Sequence, residues 1–189
     1  MEAAVEHDDE LMMRFLEEGE ESITNDEFRA ALRKGVLSGQ LFLVTGGDGR
    51  GVIVETVLDL MTGFLPSPID RGSVWGTQPK SGDEIERKPS NDQPFAALAF
   101  KIATDPFMGK LCFFRVYAGT ITAGSYILNS TTGEKERVGR LVRMHADKRE
   151  DVTEVEAGDI AAIVGLKKVT TGNTLCDLTN PVILESIEF

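Results

Sequence analysis

The sequence predicts two unlike parts: an α/β segment built as helical hairpin, strand, glycine loop and helix, and after it an all-β barrel. Three observations predict this. Apolar residues recur at near-helical spacing up to Met61, prolines at 66 and 68 then interrupt the chain, and from Pro94 onward the apolar period falls to two.

In the first part, Val5, Leu11, Met12, Phe15 and Leu16 give an opening helix its apolar stripe, and Gly19 is expected to end it. Thr24-Asn25-Asp26-Glu27 reads as a capping box, in which each end residue satisfies the other's free backbone N–H. Phe28, Ala31 and Leu32 form the inner face of that second helix. Arg33 and Lys34 suit the negative end of its dipole, and Gly35 is expected to stop it.

Leu41-Phe42-Leu43-Val44 has the unbroken apolar character of a fully buried strand. It runs into Thr45-Gly46-Gly47-Asp48-Gly49-Arg50-Gly51, then into a helix with Val54, Val57, Leu58 and Met61 on one side. That helix must end before Leu65-Pro66-Ser67-Pro68, because proline lacks an amide donor and drives its predecessor out of the α region. Residues 1–70 are therefore expected as one part, 71–93 as a linker leading into the barrel, and 94–189 as the barrel.

Ala96, Leu98, Phe100 and Ile102 are expected on one face of the first barrel strand, with Lys101 on the other. Residues 111–117, 125–129, 135–144, 160–164 and 182–187 are the further strand candidates. Between them lie turn pairs such as Asp105-Pro106, Ala118-Gly119 and Thr132-Gly133. Short strands with no intervening helix are expected to close on themselves, which removes exposed edges.

Composition narrows the function. The 189 residues carry a net charge of −11, which argues against holding nucleic acid by bulk electrostatics. The acidity is concentrated in residues 1–34, where eleven acidic side chains face four basic ones. This stretch reads as a solvated hairpin, or as a docking face for a basic partner. Cys112 and Cys176 are too few for a disulfide scaffold and read as buried thiols. No apolar run approaches the roughly twenty residues of a membrane span. The acidic N-terminus lacks the features of a signal peptide. A cytoplasmic location, with neither membrane nor DNA as partner, is expected.

The glycine loop lacks the Gly-x-Gly-x-x-Gly spacing, since Val52 stands at the sixth position from Gly47, and it lacks the Gly-Lys-Ser/Thr of a phosphate loop. His7 and His145 are the only histidines, and no cluster has metal-ligand spacing. No catalytic residue and no metal site are therefore assigned. The remaining signal is a reversal of sign: residues 137–149 contain Arg137, Arg140, Arg143, Lys148 and Arg149 against Asp147 alone, with His145 among them. Such a run can grip phosphates, or can be spent on salt bridges to Glu134, Glu136 and Glu150.

Several blocks resemble one family. Asp83-Glu84-Ile85-Glu86-Arg87, Phe95-Ala96-Ala97-Leu98-Ala99-Phe100-Lys101-Ile102, Asp105-Pro106-Phe107-Met108-Gly109-Lys110-Leu111, Arg115-Val116-Tyr117-Ala118-Gly119-Thr120, Arg143-Met144-His145-Ala146 and Thr171-Gly172-Asn173-Thr174-Leu175-Cys176 resemble domain II of bacterial elongation factor G, over nearly all of residues 83–189. Asp8-Asp9-Glu10-Leu11-Met12, Ala30-Ala31-Leu32-Arg33-Lys34-Gly35 and Leu65-Pro66-Ser67-Pro68 are similar to the end of that family's GTPase domain and its insert.

The resemblance implies a Greek-key translation-factor barrel preceded by the tail of a GTPase domain. It implies a piece of the GTP-dependent factor for ribosomal translocation, not itself an enzyme, that binds the ribosome and couples domains. Small-subunit ribosomal RNA and the parent's remaining domains are then its partners. GTP and magnesium would belong only to the full-length parent. Gly46, Gly47 and Asp48 would be the remnant of the guanine-contacting loop, where Gly-Asp replaces the family's Ser-Ala. Arg143, His145, Lys148 and Arg149 would contact RNA. The alternative is a protein-interaction or regulatory module on the same barrel, from a divergent paralogue.

Overall fold

A computed structural model describes residues 1–49, 51–146 and 148–184. The chain forms two compact units, Met1–Asp70 and a second beginning at Arg71.

The first unit is helical. The expected opening helix is two pieces, α1 (Glu2–Val5) and α2 (Asp9–Glu18), because the Asp8 side chain accepts the Leu11 amide and starts a new helix there. Gly19 caps α2 at φ 86°. A 3₁₀ turn (Glu20–Ser22) leads to α3 (Asn25–Leu37), whose capping box is complete: the Glu27 amide donates to Thr24 Oγ1 at 3.3 Å and the Thr24 amide to Glu27 Oε2 at 2.9 Å.

Gly35 does not stop α3 but lies inside it, buried. A Cβ there would fall 2.5 Å from both the His7 ring and Leu41, so this glycine permits close packing rather than termination. The helix instead ends at Ser38, before Gly39 at φ 73°.

Glu27 also accepts from the Arg14 guanidinium. That bond, with those from Thr24, lowers its pKa from 4.5 to about 2. A depressed carboxyl pKa stabilises the fold above the unfolded value and loses that contribution as pH falls from about 4.5 to about 2. We expect the stability gap between wild type and Glu27→Gln to shrink over this window, measured by helical circular dichroism in urea at stepped pH. A gap that stays constant across it would refute the assignment.

Leu41-Phe42-Leu43-Val44, expected as a strand, is not one. A strand needs a hydrogen-bonded neighbour, and no strand is present in the described residues of this unit. Phe42 is 82% and Val44 95% exposed. The next helix, α4 (Val52–Phe64), ends as expected with Leu65 extended at ψ 144° before Pro66.

By composition the window Val52–Arg71 is apolar enough to cross a membrane, with mean hydropathy 1.4, contrary to the expectation that no run comes near. It is not one continuous helix: α4 breaks at the prolines, and α5 (Pro68–Arg71) is a single turn. Thirteen residues of helix rise only about 20 Å, against about 30 Å of hydrocarbon. Arg33 ties the break together, donating to the Gly63 carbonyl at 2.5 Å and pairing with Asp70 at 2.8 Å.

The second unit is built of antiparallel strands. The segment expected as linker carries two of them, β1 (Val74–Thr77) and β2 (Glu84–Arg87). They form a small sheet with β13 (Ile183–Leu184); the rest of the 182–187 candidate lies largely outside the described residues. Between these run β3 (Ala96–Asp105), β4 (Gly109–Ala118), β5 (Ile121–Thr122), β6 (Tyr126–Asn129), β7 (Glu134–Arg137), β8 (Arg140–His145), β9 (Lys148–Val152), β10 (Glu154–Val155), β11 (Ile160–Val164) and β12 (Thr174–Cys176).

The main sheet has the order β7-β6-β12-β3-β4-β11-β8-β9. The candidate strand 135–144 is broken at Val138-Gly139 into β7, at one end of this sheet, and β8, next to the other end. Two residues thus carry the chain from one end to the other, which requires the sheet to curl into a barrel-type fold. The ladder does not close into a ring among the described residues. Its ends are instead stitched by the short β5–β10 pair and by single bonds, Val138 N–H to Ser125 and Ala123 N–H to Thr153, each 2.9 Å.

Strand β3 differs from its expected alternation. Ala97 and Ala99 face the main core with Phe114, Leu141, Ile163 and Leu175, while Ala96 and Leu98 face a second cluster with Val74, Ile85 and Leu184. Both faces are covered because the small sheet lies over the second. A register shift between Ala99 and Lys101 then returns Ile102 to the main core. Cys112 and Cys176 are free and buried, and desolvation pushes the Cys112 thiol up to about 12.

Candidate nucleic-acid interface

The basic run falls on the hairpin β8–β9. Its register pairs Arg143 with Glu150, Met144 with Arg149 and His145 with Lys148. The pleat therefore sets Arg143, His145 and Lys148 on one face and Arg149 on the other. Ala146, at the turn, has φ 55°.

Most of these cations already have carboxylate neighbours. Arg143 Nη2 lies 2.7 Å from Asp159, Arg140 Nη2 lies 3.1 Å from Asp151, and His145 Nε2 lies 3.8 Å from Glu150. Arg149 pairs with Asp105 at the end of β3. Two of the three acceptors anticipated from sequence are used differently: Glu134 pairs with Lys168, and Glu136 accepts the Lys167 and Lys168 amides. Lys148 is exposed and forms no salt bridge within 4 Å among the described residues.

Sequence reasoning placed a turn at Asp105-Pro106 but missed its link to Arg149. Asp105 Oδ1 accepts the Phe107 amide at 2.9 Å and the Met108 amide at 3.0 Å, and Oδ2 holds Arg149. Phe107 amide donation, joined by the Met108 amide and Arg149, holds this carboxyl below its usual value despite partial desolvation. The Phe107 ring itself is 88% exposed. The signal was present as a large aromatic inside a Pro-Phe-Met-Gly turn, where no strand partner can cover it.

The glycine loop lies in the other unit. A hollow of about 190 Å³ is lined by Gly47, Gly49, Ile53, Val54, Val57 and Leu58. A Cβ on Gly47 would collide with the Ile53 side chain. Gly46 is open, Asp48 is exposed, and Arg50 lies outside the described residues. Among the described residues the lining is apolar and supplies no cation or hydroxyl. Among the described residues no group of three His, Cys, Asp or Glu is placed to hold a metal.

The second unit is thus an antiparallel curled sheet of short strands with a cation-bearing hairpin, a barrel-type module. Residues 109–176, from the start of β4 to the end of β12, match the family Elongation factor Tu domain 2. A crystal structure of a protein from Thermus thermophilus is similar at 27% identity and TM-score 0.67, over 95% of this chain and 24% of that one. This chain therefore spans about a quarter of the length of the structure it matches.

Proposed function

We propose that this chain serves as the ribosome-binding and interdomain-coupling part of a translational GTPase of the elongation factor G kind. One observation carries the reading: a translation-factor second domain follows a segment whose apolar surface is uncovered. Residues 41–44 have a buried strand's sequence, and α4 exposes Val52, Val54, Leu58 and Met61. Exposed apolar area on this scale belongs against another surface, and a larger GTPase domain would supply it. In this reading the chain is not an enzyme alone, and GTP and magnesium are held by parts of the parent outside it. The hairpin β8–β9 faces small-subunit ribosomal RNA in the cytoplasm.

The double variant Arg143→Glu/Arg149→Glu tests this in cosedimentation with small ribosomal subunits. Loss of about two phosphate contacts should weaken binding and lower the salt slope by about 2. Unchanged affinity and slope, with thermal unfolding intact, would remove the RNA face. Capture of a protein insensitive to RNase, without ribosome binding, would favour the protein-interaction module instead.

A further inference from the structure

A hollow of about 380 Å³ lies between the small sheet and the main one, lined by Val74, Trp75, Leu98, Tyr117 and Leu184. Trp75, at its rim, is 57% exposed and is the chain's single tryptophan.

Arg115 borders this hollow. The register sets it opposite Leu98 on β3 and Ile160 on β11, and its guanidinium carbon lies 5.6 Å from the centre of the Tyr117 ring. Phe114 and Val116, on either side of it, face the main core, so the pleat directs Arg115 outward. Apart from the ring it has no partner. Among the described residues its guanidinium makes no hydrogen bond or salt bridge, although Nε is shielded from solvent. A guanidinium carries five donors, and leaving one buried without an acceptor is costly. Arg140, Arg143 and Arg149, by contrast, each hold a carboxylate.

Arg87, opposite Val74 in the β1–β2 ladder, repeats the pattern. It is 7% exposed and donates only to the main-chain carbonyls of Glu86 and Asn180, with Nε unpartnered. Among the described residues no carboxylate lies within salt-bridge distance of it. Glu84 and Glu86 alternate with Ile85, whose side chain packs into the second cluster, so they occupy the other face of the small sheet. In a chain of net charge −11, two arginines without acid partners beside an apolar hollow are a local demand for negative charge.

We propose that this hollow docks a segment of another protein, which seats an apolar side chain against Trp75 and Tyr117 and brings a carboxylate to Arg115. A carboxylate can take two parallel N–H bonds from a guanidinium, satisfying donors that are otherwise left without acceptors. The surface favours a protein over a small molecule. Its apolar area continues past Arg115 to Ile160, which is 51% exposed. Arginine, tryptophan and tyrosine among aliphatic side chains are the composition of an interface centre. A pocket for a small ligand would enclose its occupant instead of leaving more than half of Trp75 in water. Arg115 lies outside the basic hairpin, so this docking stands or falls separately from ribosome binding.

The test exposes the whole chain to end-blocked hexapeptide pools in which one position is fixed in turn as glutamate, glutamine or lysine and the others are mixed. Trp75 emission reports occupancy of the hollow. Glutamate pools should bind about ten-fold more tightly than glutamine pools and shift the emission, a comparison that needs no mutant. Arg115→Gln, with its urea midpoint checked against wild type, should lose this preference, whereas Arg143→Gln should keep it. Equal binding of glutamate and glutamine pools overturns the proposal, as does a glutamate preference that survives in Arg115→Gln or leaves Trp75 emission unchanged. If 3-phenylpropionate shifts the emission and no peptide pool does, the hollow serves free acids and the protein partner is overturned.

Discussion

Phe114→Ala is expected to destabilise the β-rich unit by about 3–5 kcal/mol, the usual cost of emptying a large aromatic site in a core. Phe114 is 0% exposed and stands on β4 between Ala99 of β3 and Ala161 of β11. Alanine neighbours on both sides cannot extend to fill the void, so the cavity term adds fully to the lost transfer energy. Urea unfolding followed by a probe in this unit would show the effect, with Phe107→Ala as a matched control. The two phenylalanines remove the same atoms, yet the exposed one should change stability by less than about 0.5 kcal/mol. Equal losses would mean that the core is misassigned.

Gly119→Ala should cost about 3 kcal/mol or more, because two penalties coincide. Gly119 has φ 69°, which an L residue adopts only at a cost. A Cβ there would also fall 2.5 Å from the Gln93 carbonyl oxygen and 2.6 Å from the Phe95 amide nitrogen. Both obstacles are backbone, so no side chain can rotate away. Gly124→Ala is the comparison: its φ is 84°, but nothing lies within 4 Å of the added carbon. The difference between the two thermal shifts isolates the steric part. Similar shifts would show that Gly119 is held only by its dihedral.

Much of this was legible in sequence, for identifiable reasons. The capping box at Thr24 and the helix end before Pro66 are local chemistry, decided within four residues, and both are found as expected. Strand β11 matches its expected span because turn residues bound it on both sides. What failed depended on partners distant in sequence. Leu41-Phe42-Leu43-Val44 has a strand's composition but no strand neighbour among the described residues. Gly35 looked like a stop because the close approach of His7 and Leu41 cannot be read from sequence. Strand β9 was overlooked because Lys148, Arg149, Glu150 and Asp151 present no apolar alternation, and pairing with β8 alone makes it a strand. In the candidate site the cations could be named from sequence, but their partners Asp159, Asp151 and Asp105 lie up to 44 residues away and are joined only by folding. Phe107 was hidden for the opposite reason: aromatic residues are assumed to be inside until a structure shows one that is not.

The irregularities in the β3–β4 ribbon come as a matched pair. Between Ala96 and Ala97 the extra residue, Tyr117, belongs to β4; between Ala99 and Lys101 the extra residue, Phe100, belongs to β3. The offsets cancel, so the alignment of Ala96 with Ala118 is the same as that of Asp105 with Gly109. Deleting Phe100 or Tyr117 singly would slide the distal loop one step against the proximal junction, and only a double deletion would keep both ends facing. Length variation in this ribbon among natural homologues should therefore come in twos, one residue from each arm.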